Sequence, residues 1–371
     1  MSTTPRDMDP QRTLLRMSRR HALAAGGALA LGAATTLPRL VRAQSATPVA
    51  SVADATPIAG AAATPGATPV AGWVFEDVMG ATITLPERPQ RIAAAINVAA
   101  ALRGFGIEVP TIFGWTANHF PDGNHIAWGD IDPAAVEVVS DDDGNVIIDK
   151  LREADPDLIV TWVWDRNDPE DTKAGIPADM TAQAEEIAPI LILNRSDSND
   201  EELMRTEDLA IALGVNMLSP ELVAGRDAYQ AKQAELRALA KEKDDLAVLF
   251  ASFGGGDGVW VAGSDFVADV GQTRLLGVTV ANYGAPGAEA YWEELPLDEA
   301  QRYPADVIYI DQSGVWTTLE QLRAEPTLSQ LPAIKAGQVG LWQRDHPLTY
   351  EGLTAFLESV LEPLRDAKKV T

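Results

Sequence analysis

The chain has 371 residues, a formal charge of −25 and no cysteine. The length suggests two domains of ordinary size once export segments are set aside. The charge argues against a nucleic-acid partner, and the missing thiol excludes disulfides, thiolate metal sites, cysteine nucleophiles and a lipidated cysteine.

The first 43 residues read as an export signal. Arg12, Arg16, Arg19 and Arg20 form a basic region, and S-R-R-H-A-L (Ser18 to Leu23) is close to a twin-arginine pattern. The apolar run Ala22 to Leu37 is short for a membrane span, and Val41-Arg42-Ala43 offers small residues for cleavage. Cleavage after Ala43 is expected, with an uncleaved anchor as the alternative. Residues 44–72 repeat A-T-P at Ala46, Ala55, Ala63 and Ala67. Such a segment cannot build a core and reads as an extended tether.

Folding sequence begins at Trp73, where W-V-F-E-D-V-M-G-A-T-I-T-L-P predicts a hairpin turning at Met79-Gly80. Strands are expected at Arg91 to Ile96, Val109 to Gly114, Leu158 to Trp162 and Ile190 to Leu193. Helices are expected near Val98 to Phe105, Asp149 to Ala154 and Met180 to Ile187. Continuous apolar strands between helices argue for a parallel sheet covered on both faces. Ser219 to Lys243 has a capping Ser, Pro at the first helical position and an acidic first turn, which predicts one long helix able to bridge two lobes. The second half repeats the rhythm with strands at Leu246 to Ala251, Thr279 to Ala281, Val307 to Ile310 and Val339 to Trp342, and a last helix from about Leu348 to Asp366. F-G-G-G-D-G (Phe253 to Gly258) lacks dinucleotide spacing and reads as a turn between strands, and D-D-D (Asp141 to Asp143) as a solvated loop. The organisation expected is a signal (1–43), linker (44–72), α/β lobe (73–218), connecting helix (219–243) and second α/β lobe (244–371).

One phrase occurs twice. D-K-L-R-E-A-D-P-D-L-I-V-T-W (Asp149 to Trp162) and D-E-A-Q-R-Y-P-A-D-V-I-Y-I-D (Asp298 to Asp311) both lead from an acidic helix start into a buried strand. Ligands of open parallel sheets bind beyond the strand C-termini, so two such sheets facing each other would enclose a cleft. With T-I-T-L-P-E-R-P-Q-R-I (Thr82 to Ile92), E-E-I-A-P-I-L-I-L (Glu185 to Leu193), Y-W-E-E-L-P-L-D (Tyr291 to Asp298) and L-P-A-I-K-A-G-Q-V (Leu331 to Val339), the chain from Trp73 to Leu364 resembles the ABC-importer substrate-binding proteins of the iron-siderophore and vitamin B12 type. The resemblance implies two α/β lobes with mostly parallel sheets joined by one long helix, a ferric siderophore or similar chelate as ligand, and ABC permease subunits as partners. It also implies an acid in each lobe that pairs with permease Arg. By position these are Asp149 and Asp298, with Glu299 as a substitute; helix capping is the alternative.

Candidate ligand contacts on strand-end loops are Trp115, His119, Trp162, Trp164, Arg166 and Arg195 in the first half and Tyr283, Trp316, Arg344 and Tyr350 in the second. Flat aromatics suit a large chelate, and Arg suits carboxylate or catecholate oxygens. Each ring taken singly has core packing as its alternative. His119, His125 and His346 are too scattered for a metal site, so none is expected. No catalytic motif or cofactor signature is present, and an extracytoplasmic, monomeric binding protein that is not an enzyme is the reading. B12, haem or a free metal ion stay open as ligands. A tethered adhesion or scaffolding module, or an exported enzyme, stays open as another class. The stiff connecting helix predicts small lobe motion.

Overall fold

The structure is a computed structural model describing residues 72–115, 126–165, 168, 172–193, 196, 198–253, 258–312 and 317–371. The signal, nearly all the linker, His119, His125, Arg166, Arg195 and Trp316 lie outside the described residues. Gly72–Thr371 forms one compact unit.

The first lobe opens with the expected hairpin, β1 (Trp73–Glu76) antiparallel to β2 (Thr82–Leu85). Asp77 makes its turn by accepting the Met79 and Ala81 amides on Oδ1 at 2.8 Å. Then follow β3 (Ile92–Ala95), α1 (Ile96–Gly104), β4 (Thr111–Phe113), β5 (Glu137–Val138), α2 (Ile148–Glu153), β6 (Leu158–Thr161), α3 (Ala178–Glu185), β7 (Ile190–Ile192) and α4 (Asn199–Ala212). The five strands β5-β4-β3-β6-β7 pair in parallel throughout. β3 is I-A-A-A, buried on both faces, as a central parallel strand must be.

The connecting helix is α5 (Pro220–Glu242), whose Ser219 hydroxyl accepts the Leu222 amide. At 1.5 Å per residue its span is roughly 34 Å. The second lobe comprises β8 (Ala247–Ser252), β9 (Gly258–Ala262), α6 (Ala268–Leu275), β10 (Thr279–Val280), β11 (Trp292–Pro296), β12 (Val307–Asp311), α7 (Leu319–Ala324), α8 (Pro332–Ala336), β13 (Val339–Trp342) and α9 (Tyr350–Asp366). Its sheet runs β11-β9-β8-β12-β13, with β10 also on β8. The β8, β10, β12 and β13 pairings are parallel, whereas β9 is antiparallel to both its neighbours. Side-chain alternation divides two cores: Val248, Phe250, Val307 and Tyr309 pack toward α5 and α9, and Leu249, Ala251, Ile308 and Ile310 toward the opposite face.

Two elements depart from expectation. The second copy of the repeated phrase does not start an α-helix; Leu297–Glu299 makes a single 3-10 turn. The antiparallel pair β9 and β11 was not expected as strands, though β8 and β9 do flank the predicted Phe253–Gly258 turn. Among the described residues no helix is long and apolar enough to cross a membrane.

The lobes are joined by more than α5. A Cβ on Gly104, at the end of α1, would collide with Thr349, the cap of α9. Asp200 at the start of α4 accepts from Tyr229 (2.8 Å) and Gln233 (2.7 Å) on α5 and from Gln272 (3.0 Å) on α6.

Candidate ligand-binding site

The strand C-termini of both sheets face one cleft. From the first lobe come Asn97 and Val98 beyond β3, Trp162 beyond β6, and Asn199 and Glu202 on α4. From the second come Asp269 on α6, Tyr291, Arg344, Asp345 and His346. The enclosed space is about 70 Å³.

Aromatic rings dominate the mouth. Trp115 and Trp164 lie 5.5 Å apart, Trp164 and Trp162 4.2 Å apart, and Trp164 meets Tyr291 of the other lobe edge-on at 5.9 Å. The series continues through Trp292 (5.6 Å from Tyr291) to Trp342 (6.0 Å from Trp292). Local structure holds each ring. Trp162 donates its indole N–H to Asn97 Oδ1 at 2.9 Å, and Trp115 donates to the Asp143 carbonyl at 2.8 Å. The Asp141 carboxylate folds that acidic loop by accepting the Asp143 and Asn145 amides. Gly144, at φ +82°, leaves the room a Cβ would take from Trp115.

Behind the rings lies a charged floor. The Arg344 side chain is 12% exposed; it reaches Asp311 at 3.3 Å, Asp345 at 3.4 Å and the Tyr291 hydroxyl at 3.2 Å. Its guanidinium carbon also sits 6.0 Å from the Tyr291 ring and 5.9 Å from that of Trp292. Burial disfavours its charge, but Asp345, Tyr291 and Asp311 more than compensate, so it stays protonated. Asp269 gathers three donors: Asn199 Nδ2 (2.7 Å) from the first lobe, Trp342 Nε1 (2.6 Å) and His346 Nε2 (2.9 Å) from the second. Burial pulls the His346 pKa down, and the Asp269 charge and hydrogen bond overcome that to raise it.

Of the sequence-predicted contacts, Trp115, Trp162, Trp164 and Arg344 come together here. Tyr350 does not. It is buried at the start of α9, its hydroxyl donating to Glu207 at 2.5 Å and accepting from Arg226 at 3.0 Å, with Phe105 edge-on at 5.7 Å. It is a packing residue of the lobe junction, because the first turn of α9 faces α5 and not the strand ends. Tyr283 is 59% exposed and stacks under Arg274 at 4.5 Å, away from this ring series. Asn97, Asp269, Tyr291 and Trp292 were missed. Asn97 carried a usable signal, lying just past the β3 strand end. Tyr291 and Trp292 stood in a quoted motif, but their approach to Arg344 depends on the unrecognised strand β11.

Among the described residues no group of three or more His, Cys, Asp or Glu could hold a metal ion. Asp149 lies exposed in the first turn of α2, paired with Arg152 at 3.0 Å; Asp298 and Glu299 lie exposed on their 3-10 turn, Glu299 paired with Arg302. A separate depression of about 1400 Å³ runs along the flank, lined by Arg88, Arg103, Glu108, Asn216, Glu351 and Ser359 among others. It borders the N-terminal end of β3, and its boundary meets the cleft at His346. None of the rings of the cleft mouth lines it.

The sequence profile of the periplasmic binding protein family matches residues 116–345. Among solved structures, DesE, a ferric-siderophore receptor protein from Streptomyces coelicolor, is 30% identical with a TM-score of 0.71, the alignment covering 81% of this chain and 100% of that one. The siderophore periplasmic binding protein from the fuscachelin gene cluster of Thermobifida fusca is 21% identical, with a TM-score of 0.56 and coverage of 75% and 96%. The petrobactin-binding protein YclQ from Bacillus subtilis is 15% identical, with a TM-score of 0.61 and coverage of 80% and 99%. These last two likenesses bear on the fold alone. Comparison with curated proteins returns no match. The chain therefore belongs to the periplasmic binding protein family, among the ABC-importer substrate-binding proteins of iron-siderophore and vitamin B12 type.

Proposed function

We propose that this protein is exported through its twin-arginine-type signal, captures a ferric siderophore between its two lobes and delivers it to an ABC permease. The observation that carries this reading is the ring series Trp115, Trp162, Trp164 and Tyr291, contributed by both lobes at the strand C-terminal edge. Flat rings bury the apolar skeleton of a chelate without ligating its iron, which matches a site that takes a preformed complex. The ferric-siderophore receptor at 30% identity supports the same ligand class. Ligand pockets commonly enclose about 300–1,000 Å³, so the Trp164–Tyr291 contact must part for the chelate to enter. Asp149 and Asp298, with Glu299, are proposed as the acids that register the two lobes on the permease.

Intrinsic tryptophan fluorescence tests this. Titration with a ferric siderophore is expected to give saturable quenching at one site, because the chelate absorbs beside at least three indoles. Trp162→Ala with Trp164→Ala should weaken binding by roughly tenfold or more, since each lost aromatic contact is worth about 1 kcal/mol or more. Unchanged affinity in that variant contradicts the reading.

A further inference from the structure

We propose that Asn97 is the positioning residue of the cleft: it fixes Trp162 as a standing wall and leaves Trp164 as the ring that turns aside when ligand enters. This deepens the ligand-capture reading and rests on it. β3 and β6 pair in parallel with Ala94 beside Val160, so two residues further on Trp162 comes level with Ile96 and the first turn of α1. There Asn97 Oδ1 accepts the Trp162 indole N–H at 2.9 Å and the Val98 amide at 3.1 Å. An indole N–H can only donate, so it dictates which edge of the carboxamide faces it. The Val98 amide, fixed in the helix, holds that carboxamide in turn.

Trp115 is tied in the same way, to the Asp143 carbonyl at 2.8 Å. Trp164 differs. Among the described residues no acceptor takes its indole N–H. Its backbone is nonetheless fixed: Val163 is fully buried and bridges Lys173, and the Trp164 amide donates to the Thr172 carbonyl at 2.8 Å. The two-residue period of extended chain puts Trp162 and Trp164 on one face, their rings 4.2 Å apart. What is left to move is the Trp164 side chain.

Opening the cleft parts Trp164 from Tyr291, and the two sides of that contact are not equally free. The Tyr291 hydroxyl accepts from Arg344 at 3.2 Å, and its ring lies edge-on to Phe266 at 6.3 Å and to Trp292 at 5.6 Å. Displacing Tyr291 breaks that hydrogen bond, and turning Trp162 breaks the one to Asn97. Turning Trp164 breaks no side-chain hydrogen bond and gives up only ring contacts, which the apolar skeleton of a ligand replaces. It also carries an unclaimed N–H donor to the ligand, while Trp162 keeps the wall behind it.

The test uses the whole mature protein labelled with nitrogen-15 at its indoles, the Trp162 and Trp164 signals being assigned from Trp162→Phe and Trp164→Phe. Without ligand, the Trp162 N–H should exchange with water about tenfold more slowly than that of Trp164, and Asn97→Leu should abolish the difference. Equal exchange in the unsubstituted protein, or protection that survives Asn97→Leu, overturns the proposal. Affinity is then read for the ferric complexes of one hydroxamate and one catecholate siderophore. For the complex that binds, Asn97→Leu should weaken binding by roughly threefold to tenfold, and should cost less than about twofold more when added to Trp162→Phe. The diamagnetic gallium(III) form of that complex should slow exchange at Trp164 and leave Trp162 protected; lost protection at Trp162, or no change at Trp164, overturns the division between the rings. Losses that add in the double variant mean that Asn97 touches the ligand itself; they overturn the positioning role and leave the iron-chelate reading standing. If neither complex binds the unsubstituted protein, that reading falls and takes the positioning role with it.

Discussion

Asp269 is where residue-level chemistry joins the two lobes. It takes a hydrogen bond from Asn199 of the first lobe while balancing His346 of the second, both in full burial. A histidine whose folded pKa is raised stabilises the fold fully below its ordinary value of ~6.5 and loses that contribution as pH climbs through the raised value. Wild-type stability should therefore fall on that alkaline limb. Asp269→Asn should cost about 3 kcal/mol below pH ~6.5, with the gap to wild type narrowing as pH rises. Calorimetric unfolding across that range checks it; a constant gap contradicts the assignment. Trp162 and Trp164 were legible because both follow directly on a buried strand whose end the sequence marks. Asp269 was not legible, because nothing in a helix-start sequence says that its first turn faces another lobe's asparagine. Tyr350 misled for the same reason: its position after a strand looked like a ligand loop, yet the hydrophobic stripe of α9 turns it toward Phe105 and Arg226.

At the scale of elements, the second sheet is closed at its N-terminal edge by the end of the chain. Asp306, buried just before β12, accepts the amides of Ala247 (2.9 Å), Val370 (2.8 Å) and Thr371 (2.9 Å) and pairs with Lys369 at 2.9 Å. Burial would raise its pKa, but the amides of Val370 and Ala247, Lys369 and the Thr371 amide together hold it well below the carboxylate range. A depressed carboxylate stabilises above its unfolded pKa of ~3.9 and loses that contribution as pH falls below it. Asp306→Ala should cost about 2–4 kcal/mol at neutral pH, read from denaturant unfolding, with the difference vanishing in acid. An effect below about 0.5 kcal/mol would contradict the clasp. The long helix α5 was plain in the sequence from its Ser-Pro-Glu start and unbroken helix-forming run. The strands β9 and β11 were not, because G-V-W-V-A and W-E-E-L-P acquire strand character only by pairing with each other and with β8. The repeated phrase revealed both halves of the plan but overstated its second helix, of which only a single 3-10 turn forms.

For the molecule as a whole, the residues proposed for ligand capture and those proposed for permease docking occupy different places. Asp149, Asp298 and Glu299 stand exposed on helix or 3-10 starts, while the rings and Arg344 line the cleft. Replacing Asp149 and Asp298 with Ala should leave chelate affinity within about twofold and reduce permease-dependent uptake by roughly tenfold or more. Equal loss of affinity and uptake would assign these acids to the fold instead. The contacts of α5, the Asp200 cluster and the Gly104–Thr349 approach tie the lobes at several points, so entry of a chelate should separate rings with little change in lobe spacing. The most direct test is anomalous diffraction at the iron edge from crystals grown with a ferric siderophore. A single iron peak between Trp164 and Tyr291 is predicted. Iron in the flank depression beside Arg88 and Arg103, or at no fixed position, would contradict it.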